Sequence, residues 1–235
     1  MTQASTQYQG LRIGEQRTKL VAPHNGGELT FLHPPYGPNT YANVGLIIEQ
    51  DHLKRPTMAE TASLVHAAFN SPKNNKYSKE IEDIIRQAWL WAFTGTLYVT
   101  KEGAFIQDDP EIRDGRPFMN KDSLEQKLNA KDPSVRFVPF GYKVGEMSPS
   151  ELAKNPYVIG LAGEEGAEKL AKVAEKFRDK PYLWSFKSFD TTSVDTTLTR
   201  VSALNSKGLD HGLDVDGNHG SYRGGRAFGV SERTG

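Results

Sequence analysis

Residues 208–226 read GLDHGLDVDGNHGSYRGGR and hold three Asp, two His and six Gly close to the C-terminal end of the chain. Carboxylates and imidazoles set among glycines are typical of a metal-binding loop or a catalytic loop. A disordered tail can have a similar composition. The spacing within this segment and the residue types missing around it distinguish among these interpretations.

A calcium loop is the first interpretation that the spacing excludes. With Asp214 at loop position 1, Asp216 and Asn218 occupy positions 3 and 5, as an EF-hand requires. Position 6 would then be His219 instead of the turn-forming Gly, and position 12 would be Gly225 instead of a bidentate Glu. A looser metal site remains an alternative, with four candidate ligands: Asp214, Asp216, His211 and His219. Such a site would make the chain a metal-dependent hydrolase that uses the Asp/His cluster at 210–219.

Five residue types, Lys, Glu, Gln, Met and Trp, are almost missing from residues 188–230. They make up 48 of the 235 residues, so a 43-residue segment of average composition would hold about nine, yet this one holds only Lys207. Exposed loops normally keep Lys, Glu and Gln on the surface. Random replacement of adenines in AAC or AAT codons gives products that include Asn, Asp, His, Tyr, Ser, Gly, Arg, Thr, Val and Leu. It never gives the five missing types, because the third base stays a pyrimidine.

The composition of the whole chain is that of a globular protein, with 37% apolar and 25% charged residues. Because the net charge is zero, nothing favours a nucleic-acid partner or an anionic membrane. The absence of Cys excludes disulfides, zinc–thiolate sites and thiol catalysis. The N-terminus lacks the basic and apolar regions of a cleavable signal, and the longest apolar runs are too short to span a bilayer. We therefore expect a soluble chain without membrane insertion, in a compartment that the sequence does not define.

The hydrophobic pattern places strands towards both ends of the chain and helices in the middle, an order that favours the α+β class. We expect residues 1–10 to be flexible and residues 11–235 to form a single domain, with an insert at about 110–160. Strands are expected at Thr18–Ala22, Glu28–Leu32, Asn43–Glu49, on both sides of Lys101-Glu102-Gly103, at 137–142 and at Tyr182–Phe186.

Helix starts are marked by two capping boxes, Thr57-Met58-Ala59-Glu60 and Ser148-Pro149-Ser150-Glu151. Further helices are expected at Ser78–Phe93, Ser123–Leu128 and Glu164–Arg178. The three tryptophans, Trp89, Trp91 and Trp184, are interpreted as core anchors.

Four segments carry a resemblance to a known family: RPTMAETASLVHAAF at 55–69, AWLWAFTGTLYV at 88–99, YLWSF at 182–186 and AFGV at 227–230. They resemble, in order, the Pro-Thr-x-x-Glu helix start, the following aromatic strand, the Trp-Ser strand and the closing strand of variable proteins from diversity-generating retroelements. Gly229 stands where the closing motif usually has Arg, the Arg-Gly-Gly at 223–225 comes unusually late, and residues 100–180 match no part of the pattern.

The resemblance implies a divergent C-type lectin-like fold, related to the formylglycine-generating enzyme scaffold. In it, two or more helices pack on short antiparallel sheets beside a long irregular C-terminal segment. It also implies an adenine-mutagenised variable region, here at about 188–226. The constant scaffold would include Trp184, Phe186, Leu204, Phe228 and Val230. The ligand-facing residues, with side chains pointing outward, would be Asp210, His211, Asp214, Asp216, Asn218, His219, Ser221 and Tyr222, with a second cluster at Asp190, Thr192 and Asp195.

The function implied is selective binding of a macromolecular ligand, expected to be a protein, with no catalysis and no cofactor. Association with a cell surface is compatible with such a role, and the sequence leaves the oligomeric state open. An enzyme on the formylglycine-generating scaffold would need the Cys that this chain lacks. The metal-dependent hydrolase and a structural assembly protein remain as alternatives.

Overall fold

The computed structural model describes residues 17–189, 197–206, 212–220 and 224–231. In these residues the helices lie between positions 41 and 174, and strands occur before, between and after them. The helices are α1 (Tyr41–Gln50), α2 (Met58–Phe69), α3 (Lys76–Gln87), α4 (Lys121–Asn129), α5 (Pro149–Ala153) and α6 (Pro156–Ala174). None of these helices is long and apolar enough to cross a membrane.

Fourteen strands are formed by the same described residues. They are β1 (Thr18–His24), β2 (Gly27–His33), β3 (Tyr36–Asn39), β4 (Trp89–Val99), β5 (Gly103–Asp108), β6 (Ile112–Arg113), β7 (Arg116–Pro117), β8 (Val135–Pro139), β9 (Gly145–Glu146), β10 (Tyr182–Trp184), β11 (Thr197–Asn205), β12 (Asp214–His219), β13 (Gly225–Ala227) and β14 (Val230–Ser231).

The main sheet has nine strands and is built around the long strand β4. Its order is β3-β13-β4-β11-β12-β10-β9, and β5 pairs with the second half of β4 and with β8. A smaller sheet has the order β1-β2-β14, so the last described strand pairs with the N-terminal hairpin. The two ends of the described chain are thereby held together.

Both faces of β4 are buried, because alternate side chains of a strand point to opposite sides of the sheet. Leu90 and Ala92 join the larger hydrophobic cluster, which also includes residues of α2, α3 and α6. Trp91 and Phe93 face the other way and pack with Tyr41 and other residues of α1 in a second cluster. The central part of the sheet is therefore covered by helices on both sides.

Most of the locally marked elements agree with the sequence-based expectations. The β1–β2 hairpin turns through Asn25 and Gly26, both at positive φ, as a tight hairpin requires. Both capping boxes are formed, with Thr57 accepting from the Glu60 backbone amide and Ser148 from that of Glu151. The β4–β5 hairpin and a helix around 123–128 are confirmed as well. The last predicted helix starts earlier than expected, at Pro156, and has a non-helical residue at Gly163.

The strand predicted at Asn43–Glu49 is wrong, since these residues belong to α1. Thr40 caps this helix by accepting a hydrogen bond from the Asn43 amide at 3.2 Å. Val44 and Ile48 face the core, one turn apart, while Leu46 and Ile47 are exposed. A short apolar run does not by itself distinguish a strand from a helix.

The helix predicted at Ser78–Phe93 is correct only in its first part. It starts at Lys76 and ends at Gln87, and the chain then continues as β4. The apolar residues after Gln87 are buried on alternate faces and not along one stripe, which is the pattern of a strand covered on both sides.

Candidate ligand-binding surface

Strand β12 carries four of the predicted ligand-facing residues, and it is an interior strand of the main sheet. It pairs antiparallel with β11, where Asn205 faces Asp214, and parallel with β10, where Trp184 faces Asp216. Side chains on an interior strand can reach solvent only through the faces of the sheet. The exposure of this segment therefore depends on what covers those faces.

The expected outward position is wrong for three of these residues. Asp214, Asp216 and His219 are only 7%, 6% and 7% exposed, and Asn218 is half-buried. The alternation of polar residues with Val215 suggests one solvated face, but the carboxylates of Asp214 and Asp216 are nearly inaccessible to solvent. The remaining predicted positions lie outside the described residues: Asp190, Thr192, Asp195, Asp210, His211, Ser221 and Tyr222.

These seven positions fall in three short gaps that all adjoin β11 or β12. Residues 190–196 lie between β10 and β11, residues 207–211 connect β11 to β12, and residues 221–223 lie between β12 and β13. Described residues thus flank each gap on both sides.

Beneath β12, a network of buried hydroxyl groups holds the main chain. The Tyr98 and Tyr157 hydroxyl oxygens each lie 3.0 Å from the carbonyl oxygen of Gly217, and 2.7 Å from one another. Each hydroxyl has one proton, so when one tyrosine donates to Gly217 the other can donate to its neighbour. The oxygen of Ser185 extends the network, 3.0 Å from Tyr98 and 2.9 Å from Tyr142.

Burial disfavours the phenolate forms of this network. It raises the pKa of Tyr142 to about 12 and raises the pKa values of Tyr98 and Tyr157 further above the ordinary range of tyrosine. The three hydroxyls therefore stay protonated at neutral pH. No pattern in the sequence predicts this network, since its members come from β4, α6 and the segments around β8 and β10.

Gly217 is required by this arrangement. A Cβ atom at this position would lie 2.2 Å from the Tyr157 hydroxyl oxygen. Two further glycines of the segment are equally constrained: a Cβ on Gly212 would lie 1.9 Å from the Lys180 carbonyl oxygen, and one on Gly225 would lie 2.1 Å from the Trp91 indole.

On the opposite side of β12, Asp216 and His219 form a buried pair. The His219 Nδ1 atom lies 3.0 Å from Asp216 Oδ2, and Asp216 Oδ1 accepts the Asn218 amide at 2.8 Å. The imidazole packs on the rings of Trp89 and Trp91, with centroid distances of 4.2 and 5.0 Å. Neither His219 Nε2 nor Trp91 Nε1 has a hydrogen-bond partner in the structure as described. If neutral His219 donates from Nδ1 to Asp216, its Nε2 can accept a hydrogen bond.

The described residues contain no group of three or more His, Asp or Glu that could hold a metal ion. Asp214, Asp216 and His219 therefore do not form such a group with each other or with other described side chains. Asp210 and His211, the other members of the predicted cluster, lie outside the described part of the chain.

The predicted scaffold residues are not equally buried. Leu204, Phe228 and Val230 are at most 2% exposed, and Phe186 packs against the larger core cluster. Trp184, however, is 38% exposed, so its interpretation as a core anchor is wrong. Of the three tryptophans only Trp91 is fully buried, and Trp89 is partly buried beside it. Trp184 lies on a short strand near the edge of the sheet, next to β9, where the face is not covered.

The architecture identifies the class to which this structure belongs, the C-type lectin fold. A solved structure, described as showing how this fold accommodates massive sequence variation in Nanoarchaeota, aligns with a TM-score of 0.56 at 14% sequence identity. The alignment covers 92% of this chain and 98% of that one. No protein-family model and no curated protein sequence matches the chain.

Proposed function

We propose that this chain is a ligand-binding protein whose residues 188–226 present side chains that differ between copies of the gene and select a macromolecular partner. The observation that carries the proposal is the near absence of Lys, Glu, Gln, Met and Trp from residues 188–230. Adenine replacement in AAC and AAT codons cannot produce any of these five types, whereas a 43-residue segment of average composition would hold about nine of them.

The way in which β12 is held supports the proposal, because it depends on main-chain contacts. The Gly217 carbonyl is bound by the hydroxyls of Tyr98 and Tyr157, which lie outside the variable segment. Gly212 packs against the main chain of Lys180. Such contacts persist when side chains elsewhere in the segment are exchanged.

We assign two roles to the predicted residues. Asp214, Asp216 and His219 are buried and support the surface from beneath, with Asn218 at its margin. The residues displayed to a ligand are then those of the three gaps between the strands: Asp190, Thr192, Asp195, Asp210, His211, Ser221 and Tyr222.

The chemistry of the displayed set suits a protein partner. Asp, His, Ser and Thr offer adaptable hydrogen bonds, and Tyr adds rigid amphipathic area, as in antibody loops. Exchanging exposed side chains changes stability by only about 0.5 kcal/mol or less. A surface of this kind can therefore be varied widely while the fold is retained, and it needs neither catalysis nor a cofactor.

A display library tests the proposal. The seven displayed positions are randomised with AAC-derived codons, and the full chain is selected against a model protein such as lysozyme. We expect folded binders whose target specificity depends on the seven residues. The matched control randomises seven exposed positions in and after α4: 122, 123, 125, 126, 129, 130 and 131. Enrichment that is equal in the two libraries, or unfolding of most members of the first, would contradict the proposal.

A further inference from the structure

Strand β10 presents two aromatic side chains on the same face of the sheet. Tyr182 and Trp184 are two residues apart, 36% and 38% exposed, and their ring centroids lie 4.4 Å apart. Large aromatic side chains are usually covered in a folded protein. Exposed Trp and Tyr are enriched where a partner binds, since they supply much of the binding free energy of protein interfaces.

The two rings line an open cavity of about 440 Å³ at this end of the sheet. Three carboxylates share the lining, from Glu146, Asp179 and Asp214, against two cationic side chains, Arg178 and Lys180. Among the described lining residues, carboxylates therefore outnumber cationic side chains by one.

The cationic side chains of the lining are only loosely held. Arg178 and Lys180 are 74% and 63% exposed and pair with Asp179 and Glu146 at 3.3 and 3.4 Å. Exposed ion pairs of this kind contribute about 0–1 kcal/mol, so a competing cation can displace them. Asp214, by contrast, is 7% exposed and forms the inner wall, where charge is less screened by solvent.

We propose that this cavity binds one Lys or Arg side chain of the protein partner. A cation above the face of Trp or Tyr is attracted by the ring quadrupole, and Trp gives the strongest attraction. The aliphatic stem of either side chain would lie along the two rings, while its charged end approaches the carboxylate of Asp214. The volume suits one such side chain and its solvent.

This inference rests on the proposed function and refines it, because the cavity lies where residues before the variable segment meet residues of that segment. Tyr182 and Trp184 precede residue 188, and the single Trp codon, TGG, contains no adenine. Gly212 and Asp214, which belong to the variable segment, also line the cavity. The two aromatic rings are thus a constant part of the anchor for a basic residue, beside a surface that changes between copies.

Small probes test the anchor on the full chain. Nα-acetyl-lysine amide and Nα-acetyl-arginine amide are titrated while the Trp184 indole N–H is followed by NMR. Nα-acetyl-citrulline amide, a neutral analogue of the arginine probe, is the control ligand. We expect saturable shifts with the two cations and binding of the citrulline probe weakened about tenfold or more. Equal binding of the neutral probe, or binding of a methyl glycoside in place of both cations, would overturn the inference.

Three variants separate the contributions. Trp184→Leu keeps apolar area but removes the ring, and we expect about tenfold weaker binding of the cations. Asp214→Asn should also weaken binding of the two cationic probes. Thermal unfolding of this variant checks that its fold is retained. Phe118→Ala removes another exposed aromatic side chain, one that lies under Arg113, and should have no effect. Unchanged affinity in Trp184→Leu would contradict the assignment.

Failure of the cation site can be distinguished from failure of the proposed function, because the probe titrations and the display library test them separately. If the probes bind but the display library yields no selective binders, the cation site stands and the variable surface does not. If selective binders are found and the probes do not bind, the anchor alone is wrong.

Discussion

The hydroxyl oxygen of Tyr157 lies 3.0 Å from the carbonyl oxygen of Gly217. This contact joins α6 to β12, the strand at the centre of the proposed binding surface, through the main chain of the strand. A side chain at residue 217 would occupy the space of the hydroxyl. The surface thus rests on a position that cannot vary, although it lies within the segment expected to do so.

Gly217→Ala is therefore expected to destabilise the protein by about 1–3 kcal/mol, the usual cost of overpacking a filled interior. Urea unfolding measures this loss. Gly220→Ala is the matched control, because its new Cβ would meet only the Arg200 side chain, at 3.6 Å or more. Tyr157→Phe in the Gly217→Ala background should recover part of the loss. Equal stability of the two single alanine variants would show that the Tyr157–Gly217 contact does not constrain β12.

The buried tyrosines predict a fall in stability at alkaline pH. Burial raises the pKa of Tyr142 to about 12, whereas tyrosine in an unfolded chain ionises near pH 10. Above about pH 10 the unfolded state loses a proton that the native state keeps, so the free energy of unfolding falls as pH rises. The contribution of Tyr142 to the free energy of unfolding is complete below pH 10 and is lost between about pH 10 and 12.

The substitution Tyr142→Phe removes the part that Tyr142 contributes to the slope of the free energy of unfolding against pH. We expect its free energy of unfolding to decline less steeply than that of the wild type between pH 10 and 12, by up to about 1.4 kcal/mol per pH unit. Urea titrations at a series of pH values provide the comparison. Parallel curves for the two proteins would mean that Tyr142 ionises equally in the native and unfolded states.

His219 is expected to matter for the fold, in contrast to an exposed residue of a variable loop. Its ring packs on Trp89 and Trp91, and it partners the buried carboxylate of Asp216. We expect His219→Ala to cost about 2–3 kcal/mol through lost packing and an unpaired carboxylate. Asn218→Ala, at the half-buried neighbouring position, should cost less than about 1 kcal/mol. Thermal unfolding of both variants measures the two losses of stability. A similar small loss in each would contradict the supporting role of His219 and return it to the residues displayed to the ligand.

Local signals in the sequence predicted much of the fold. The Thr57–Glu60 and Ser148–Glu151 capping boxes are complete within four residues, so both helix starts were found. The apolar run at 43–49 has an N-cap in Thr40 but no Glu or Gln at position 43 to complete a capping box, and residues of this helix pack with Trp91 and Phe93 of β4.

The candidate site was predicted less well, because its geometry is set by distant elements. Whether Asp214 is exposed depends on its neighbours β10 and β11, which no pattern within DVDGNH specifies. The tyrosines that hold Gly217 are 119 and 60 residues away in the chain. Composition predicted the segment as a binding surface, whereas the burial of Asp214, Asp216 and His219 is visible only in the structure.

Sequencing this gene across a natural population, together with any near-identical non-coding copy beside it, tests the central claim most directly. The account predicts differences confined to codons at adenine positions of the copy, concentrated in residues 190–196, 207–211 and 221–223, with Gly212, Gly217 and Gly225 unchanged. A uniform gene, or differences spread evenly along all 235 codons, would contradict it.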